Sequence, residues 1–197
     1  FLDKYADTEF KVILLQNAMQ IAQQKRDTPL TLTYAERLLE ADPKNFEADI
    51  AIASSTAQGA KEFDLDKAEK TAKVQKYAQA GLDSMKDYPK PMSQIPDDQW
   101  AAQKKSAAAQ AYASLGMMDM INKKYDDAIK DYQTALDTSP DPITTFRLGE
   151  AYMKANKLDE ADAAFDKVVA APSAPPQVKT FAQQRKADVA KLKAAKK

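Results

Sequence analysis

Two pairs of adjacent acids, Asp97-Asp98 and Asp126-Asp127, and the spaced pair Asp64-x-Asp66 are the residues whose types and spacing invite chemistry. Paired carboxylates can divide general-acid and general-base work between them, and alternating acids open a calcium loop. Adjacent residues on a helix, however, point in different directions. Both adjacent pairs also stand at the start of a helical pattern, where negative charge is favoured by the helix dipole. They are expected to be helix starts. Asp64-x-Asp66 lacks the glycine and the closing glutamate that a calcium loop needs at fixed spacing. The chain has no His and no Cys, which excludes thiolate nucleophiles, disulfides, and zinc sites of the thiolate or imidazole kind. The usual general base near neutral pH is missing as well. With four dispersed Gly no glycine-rich phosphate loop can form. No catalytic residue, cofactor or metal site is expected, and an enzyme is not.

Charge excludes a second class of function. Lys+Arg and Asp+Glu are both 29 in 197 residues, so the net charge is zero and the basic footprint of a nucleic-acid binder is absent. The C-terminal end is locally basic, with Lys179, Arg185, Lys186, Lys191, Lys193, Lys196 and Lys197 against Asp188. Aromatic interleaving is absent there apart from Phe181, so a solvated helix face is expected. The most apolar run, Val12 to Leu15, is far short of the roughly 18 residues that span a bilayer. A transmembrane segment is therefore not expected.

The elements that must position any site are helices. Abundant Ala and Lys favour them, and one pattern occurs twice. Tyr112-x-x-Leu115-Gly116 is followed by Ala128-x-x-x-Tyr132, then Ala135 and Pro140. Leu148-Gly149-x-x-Tyr152 is followed by Ala161-x-x-x-Phe165, then Val168 and Pro172. Each Gly precedes its Ala by 12 residues, and the two Gly are 33 apart. Two antiparallel helices approach closely where both carry small residues, so Gly116 is expected to face Ala128 and Gly149 to face Ala161. The large side chains fill the space on either side. Pro140 and Pro172 stop each second helix, while Asp141-Pro142 caps and opens the next.

This pattern resembles the tetratricopeptide repeat (TPR) family, whose unit is a helix–turn–helix of about 34 residues. Departures are Asp119 in place of an aromatic, Thr145 in place of Trp, and Pro172 one residue early. The resemblance implies an all-α, right-handed TPR-type α-α solenoid of about four repeats, at about 8–43, 45–87, 97–140 and 142–172. A Pro-rich connector is expected at 88–96 and a capping helix at 176–196, all within one domain. In the second repeat the return helix is expected to use Leu65, Ala68 and Ala72, with extra residues in the loop from Gly59 to Asp64. Val178, Phe181, Ala182, Val189 and Leu192 are expected to face inward on the capping helix. Phe1, Leu2 and Tyr5 read as the tail of a helix with a partner upstream, so more repeat is expected before residue 1.

Carried over residue by residue, the resemblance places Ala113, Met117, Met120, Ile121, Phe146, Glu150 and Met153 on a concave groove. Met is flexible and polarisable and suits an adaptable binding surface. One subclass of the family grips a C-terminal carboxylate with Lys and Asn, and no such clamp stands at the matching positions here. The implied role is a scaffold that binds a peptide or helix of another protein. The alternative is a structural subunit of a larger or homo-oligomeric assembly. The chain resembles bacterial proteins of this family, several of them exported, and the resemblance implies a lean to an exported or periplasmic bacterial location, with the cytoplasm as the alternative.

Overall fold

A computed structural model describes residues 10–90 and 95–195 of the chain. Among these residues there are nine helices and no strand: α1 (Lys11–Gln24), α2 (Thr28–Ala41), α3 (Phe46–Gly59), α4 (Lys67–Asp87), α5 (Asp97–Ile121), α6 (Tyr125–Thr138), α7 (Pro142–Lys154), α8 (Leu158–Ala170) and α9 (Pro176–Ala194). The architecture of the described residues is all-α, built from successive helix pairs. The expectations for Phe1, Leu2, Tyr5, Lys196, Lys197 and the middle of the Pro-rich connector fall outside the described residues. Two compact units, Phe1–Ser114 and Leu115–Lys197, divide the chain within α5.

Local chemistry starts the helices in two ways. Asp27, Asn45 and Asp141 precede α2, α3 and α7, and each side chain accepts a hydrogen bond from a backbone N–H of the first turn, at 3.1, 3.1 and 2.7 Å. These bonds satisfy donors that a helix start leaves open. Helices α6 and α8 lack a side-chain cap and carry Asp126 with Asp127, and Asp159 with Glu160, in the first turn. There the negative charge meets the positive end of the dipole.

One turn recurs in three of the four helix pairs. Arg26, Lys123 and Asn156 hold positive φ angles of 55°, 61° and 62°. The residue after each donates its N–H to a carbonyl five residues back: Asp27 to Ala22, Lys124 to Asp119 and Lys157 to Tyr152, at 2.8–2.9 Å. This is the Schellman ending of a helix, with a non-glycine residue in the left-handed position.

The α3–α4 pair is built differently, and it corrects the sequence reading. Leu65, Ala68 and Ala72 are exposed, and α4 buries Val74, Ala78, Gly81 and Met85 instead. Those four residues lie on one helical stripe, whereas Ala68 and Ala72 share a face with the exposed Gln75 and Gln79. The close approach is at Gly81. A Cβ there would lie 2.8 Å from Ile50 Cγ1 and 3.3 Å from both Asp49 Cβ and the Phe46 carbonyl oxygen. The early turns of α3 thus cross the late turns of α4, which moves the crossing well beyond Ala68. Phe46 anchors the same region, its ring 5.2 Å from Tyr88 edge-on and 5.8 Å from Trp100. Trp100 is buried at this contact, so the long start of α5 packs within the first unit.

Candidate partner-binding face

In the second unit the repeat glycines meet rings. A Cβ on Gly116 would lie 2.8 Å from Cε1 of Tyr132, and one on Gly149 would lie 2.6 Å from Cε1 of Phe165. The expected partners Ala128 and Ala161 are fully buried, but the atoms that exclude a side chain belong to the aromatic one turn further along. Tyr132, Leu148 and Phe165 are buried, while Tyr112, Leu115 and Tyr152 are half-buried. Pro140 and Pro172 lie just beyond the ends of α6 and α8.

The residues assigned to a groove sit at the edge of this packing. Met117, Met120 and Ile121 on α5 follow an i, i+3, i+4 spacing, and Phe146, Glu150 and Met153 on α7 an i, i+4, i+7 spacing. All six are half-buried. Met117 and Met120 pack against the cluster of Ala128, Ile129, Tyr132, Leu148 and Ala151. Phe146 and Met153 pack against the cluster centred on Phe165, with the Phe146 ring 5.6 Å from the Phe165 ring. Ala113 is buried and belongs to the first unit. Glu150 accepts a hydrogen bond from Arg185 Nε at 3.2 Å, and Arg185 also reaches Asp188 at 3.4 Å. The single acid of the groove set is therefore held by a cation from α9.

Helix α9 is more than a solvated cover. Ala182, fully buried, stands 33 residues after Gly149, and Pro175 stands 33 after Pro142. The helix thus repeats the first-helix pattern of α7, a signal present in the sequence that the two-repeat pattern alone does not pick up. Phe181 and Leu192, expected inward, are exposed instead, and Ala182 and Val189 face the core. Two of its lysines are paired as well. Lys186 bonds Asp166, and Lys193 bonds Asp159 at 2.8 Å and Asp162 at 3.4 Å, so α9 is laced to α8.

One acid of each adjacent pair singled out by sequence is in an ion pair. Asp97 meets Lys90, and Asp126 meets Lys157 at 2.7 Å. The two carboxyls that do face one another, Asp119 on α5 and Asp131 on α6, were not foreseen. Burial, and then the charge of Asp119, pushes the Asp131 carboxyl up to about 7. Asp119 is also raised, chiefly by burial and next by Asp127. Protonated Asp131 donates to the Asp119 carboxylate, which lets two acids share one partly buried site. The position was visible in sequence only as Asp119 replacing an aromatic. No group of three acidic side chains placed to hold a metal ion occurs among the described residues, and no described helix is long and apolar enough to cross a membrane.

Comparison with known proteins agrees with this geometry. Residues 120–185 match the family model described as tetratricopeptide repeat. No curated protein matches the chain. Among solved structures, the chain is similar to TTC0263, a thermophilic TPR protein of Thermus thermophilus. The identity is 16% and the TM-score 0.54, over 95% of this chain and 84% of that one, a likeness of fold. It is similar to MamA protein at 19% identity over 82% of this chain and 92% of that one, with a TM-score of 0.31 that is too low to bear on the fold.

Proposed function

We propose that the chain, whose residues 120–185 match the tetratricopeptide-repeat model, acts as an interaction scaffold and captures a segment of another protein on the first-helix face of its second unit. The observation that carries this is the row of half-buried apolar side chains Met117, Met120, Ile121, Phe146 and Met153 on α5 and α7. Met117, Met120, Phe146 and Met153 pack against the core on one side, so little side-chain freedom is lost when a partner closes over them. Three of the five are Met, which adapts its shape to an apolar or amphipathic segment. The one acid, Glu150, is already paired with Arg185, so a salt bridge to the partner is not needed to bury this face.

Phe146 serves two purposes, since its contact with Phe165 also supports the fold. A test should therefore probe the face without removing its side chains from the core. A photo-crosslinking residue placed at Met120 or Met153, in cells of the native host, should yield discrete protein adducts. The same probe at Ala163, exposed on α8, should yield none. Equal adducts at all three positions, or none at the two Met sites, would remove this face as the binding surface.

A further inference from the structure

The methionines of the chain fall into two groups. Seven Met occur in the sequence, and Met92 lies outside the described residues. Of the other six, Met19 and Met118 are 1% exposed and Met85 is 7% exposed, so the core shields their sulfurs. Met117, Met120 and Met153 are half-buried, and all three stand on the α5 and α7 face to which partner capture is assigned. Among the described residues, the thioethers that solvent can reach are thus collected on one face of the second unit. No Cys is present, so no thiol in the chain competes with these sulfurs for an oxidant.

A thioether gives up two electrons to a hydroperoxide. The sulfur lone pair attacks, an S–O bond forms and the O–O bond breaks. With hydrogen peroxide, the departing hydroxide takes the proton of the transferred oxygen and leaves as water. The product is a sulfoxide, polar where the thioether was apolar. Met117, Met120 and Met153 each pack against a buried cluster on one side, and on the other side water can hydrogen-bond the new oxygen. An apolar partner segment closing over that oxygen would bury an acceptor without a donor. We propose that Met117, Met120 and Met153 form a hydroperoxide-sensitive modification site that regulates partner capture. Oxidation releases the partner. Reduction by a thiol-dependent sulfoxide reductase restores capture, two thiols passing to a disulfide while the sulfoxide oxygen leaves as water. This inference rests on the reading of the Met-bearing face as the binding surface.

The first measurement needs no partner. Purified chain carrying Met92→Leu is treated with limiting hydrogen peroxide, and peptide mass spectrometry follows each thioether. Met117, Met120 and Met153 should gain oxygen about tenfold faster than Met19, Met85 and Met118. The treated chain should keep its melting temperature nearly unchanged. In the second measurement the same chain carries the photo-crosslinking residue at Met120 or at Met153, which leaves two thioethers on the face. It is oxidised, freed of peroxide and illuminated in host extract. Adduct yield should fall about tenfold or more relative to untreated chain, and should recover after treatment with a methionine sulfoxide reductase. Even oxidation of all six sites, a treated chain that melts much earlier, adducts undiminished by oxidation, or adducts that do not return on reduction would each overturn the proposal. Absence of adducts from the untreated chain at both positions would remove the binding surface itself, and the switch with it.

Discussion

At the residue scale, the two repeat glycines are fixed by rings. The space that Gly149 leaves is occupied by the edge of Phe165, with 2.6 Å between that ring and any added Cβ. Even alanine must displace an aromatic that is itself fully buried. Gly149→Ala is expected to destabilise the second unit by about 2 kcal/mol through overpacking, measured as a shift of the urea midpoint. Ala187→Leu on the exposed side of α9 should move that midpoint by no more than about 0.5 kcal/mol. Equal shifts would show that the glycine is not at a tight contact. The acids make a second prediction. Asp131 has a folded-state value raised to about 7 against an unfolded value near 3.8, so the folded state keeps a proton that the unfolded state gives up. Its contribution is fully present below about pH 4 and is lost as pH rises towards 7. Asp49, raised to about 6 by burial between α3 and α4, acts in the same direction in the first unit. Asp131→Asn should stabilise the second unit at pH 8 by on the order of 1 kcal/mol and flatten its pH dependence between 4 and 7. A variant that melts like the parent at pH 8 would mean that the two carboxyls do not share a site.

At the element scale, α9 is the first helix of a further unit in register, and its role is to close the apolar side of α8. Ala182 and Val189 are fully buried and join the cluster that holds Phe165 and Val168. Solenoid units bury their cores against neighbours, so an end without such a helix leaves apolar surface open. Removing residues 176–197 should therefore lower the melting temperature and produce association that grows with concentration. A trimmed chain that remains as stable and as monomeric as its parent would reduce α9 to an ornament of the surface. The ion pairs from Lys186 and Lys193 to α8 are exposed and add little energy, but they fix the direction in which α9 lies. The same scale explains the odd second pair. Where the other pairs turn through one left-handed residue, α3 and α4 are joined by a seven-residue loop from Ala60 to Asp66. That insertion is the part of the unit that displays apolar side chains outward.

At the scale of the whole molecule, charge and apolar surface are distributed differently. The 29 acids and 29 bases balance, so net charge supplies no long-range attraction for a polyanion. Under the proposed function, selectivity comes from a shaped apolar face, the Met-bearing side chains of α5 and α7 in the second unit. Tetratricopeptide arrays bury one side of each helix pair and leave the other to partners, so interaction surface is a by-product of the way the core is built.

Much of this was legible in the sequence, because helix periodicity and small-residue spacing are local. The 33-residue offset from Gly116 to Gly149, the cap at Asp141, and the prolines after α6 and α8 all act within a few residues of themselves. Partner choice was not legible. That ring atoms of Tyr132 and Phe165 lie nearest Gly116 and Gly149 depends on how deeply two helices interlock, which side-chain volume across the pair decides. Gly81 could take over from Ala68 because α4 has several alanines in different helical phases, and only packing against Ile50 and Phe46 chooses among them. The Asp119–Asp131 pair and the outward turn of Phe63 and Leu65 follow the same logic. A short-range pattern names the face a residue occupies on its own helix, while the neighbour that covers that face, or leaves it bare, is set by the packing of the whole unit.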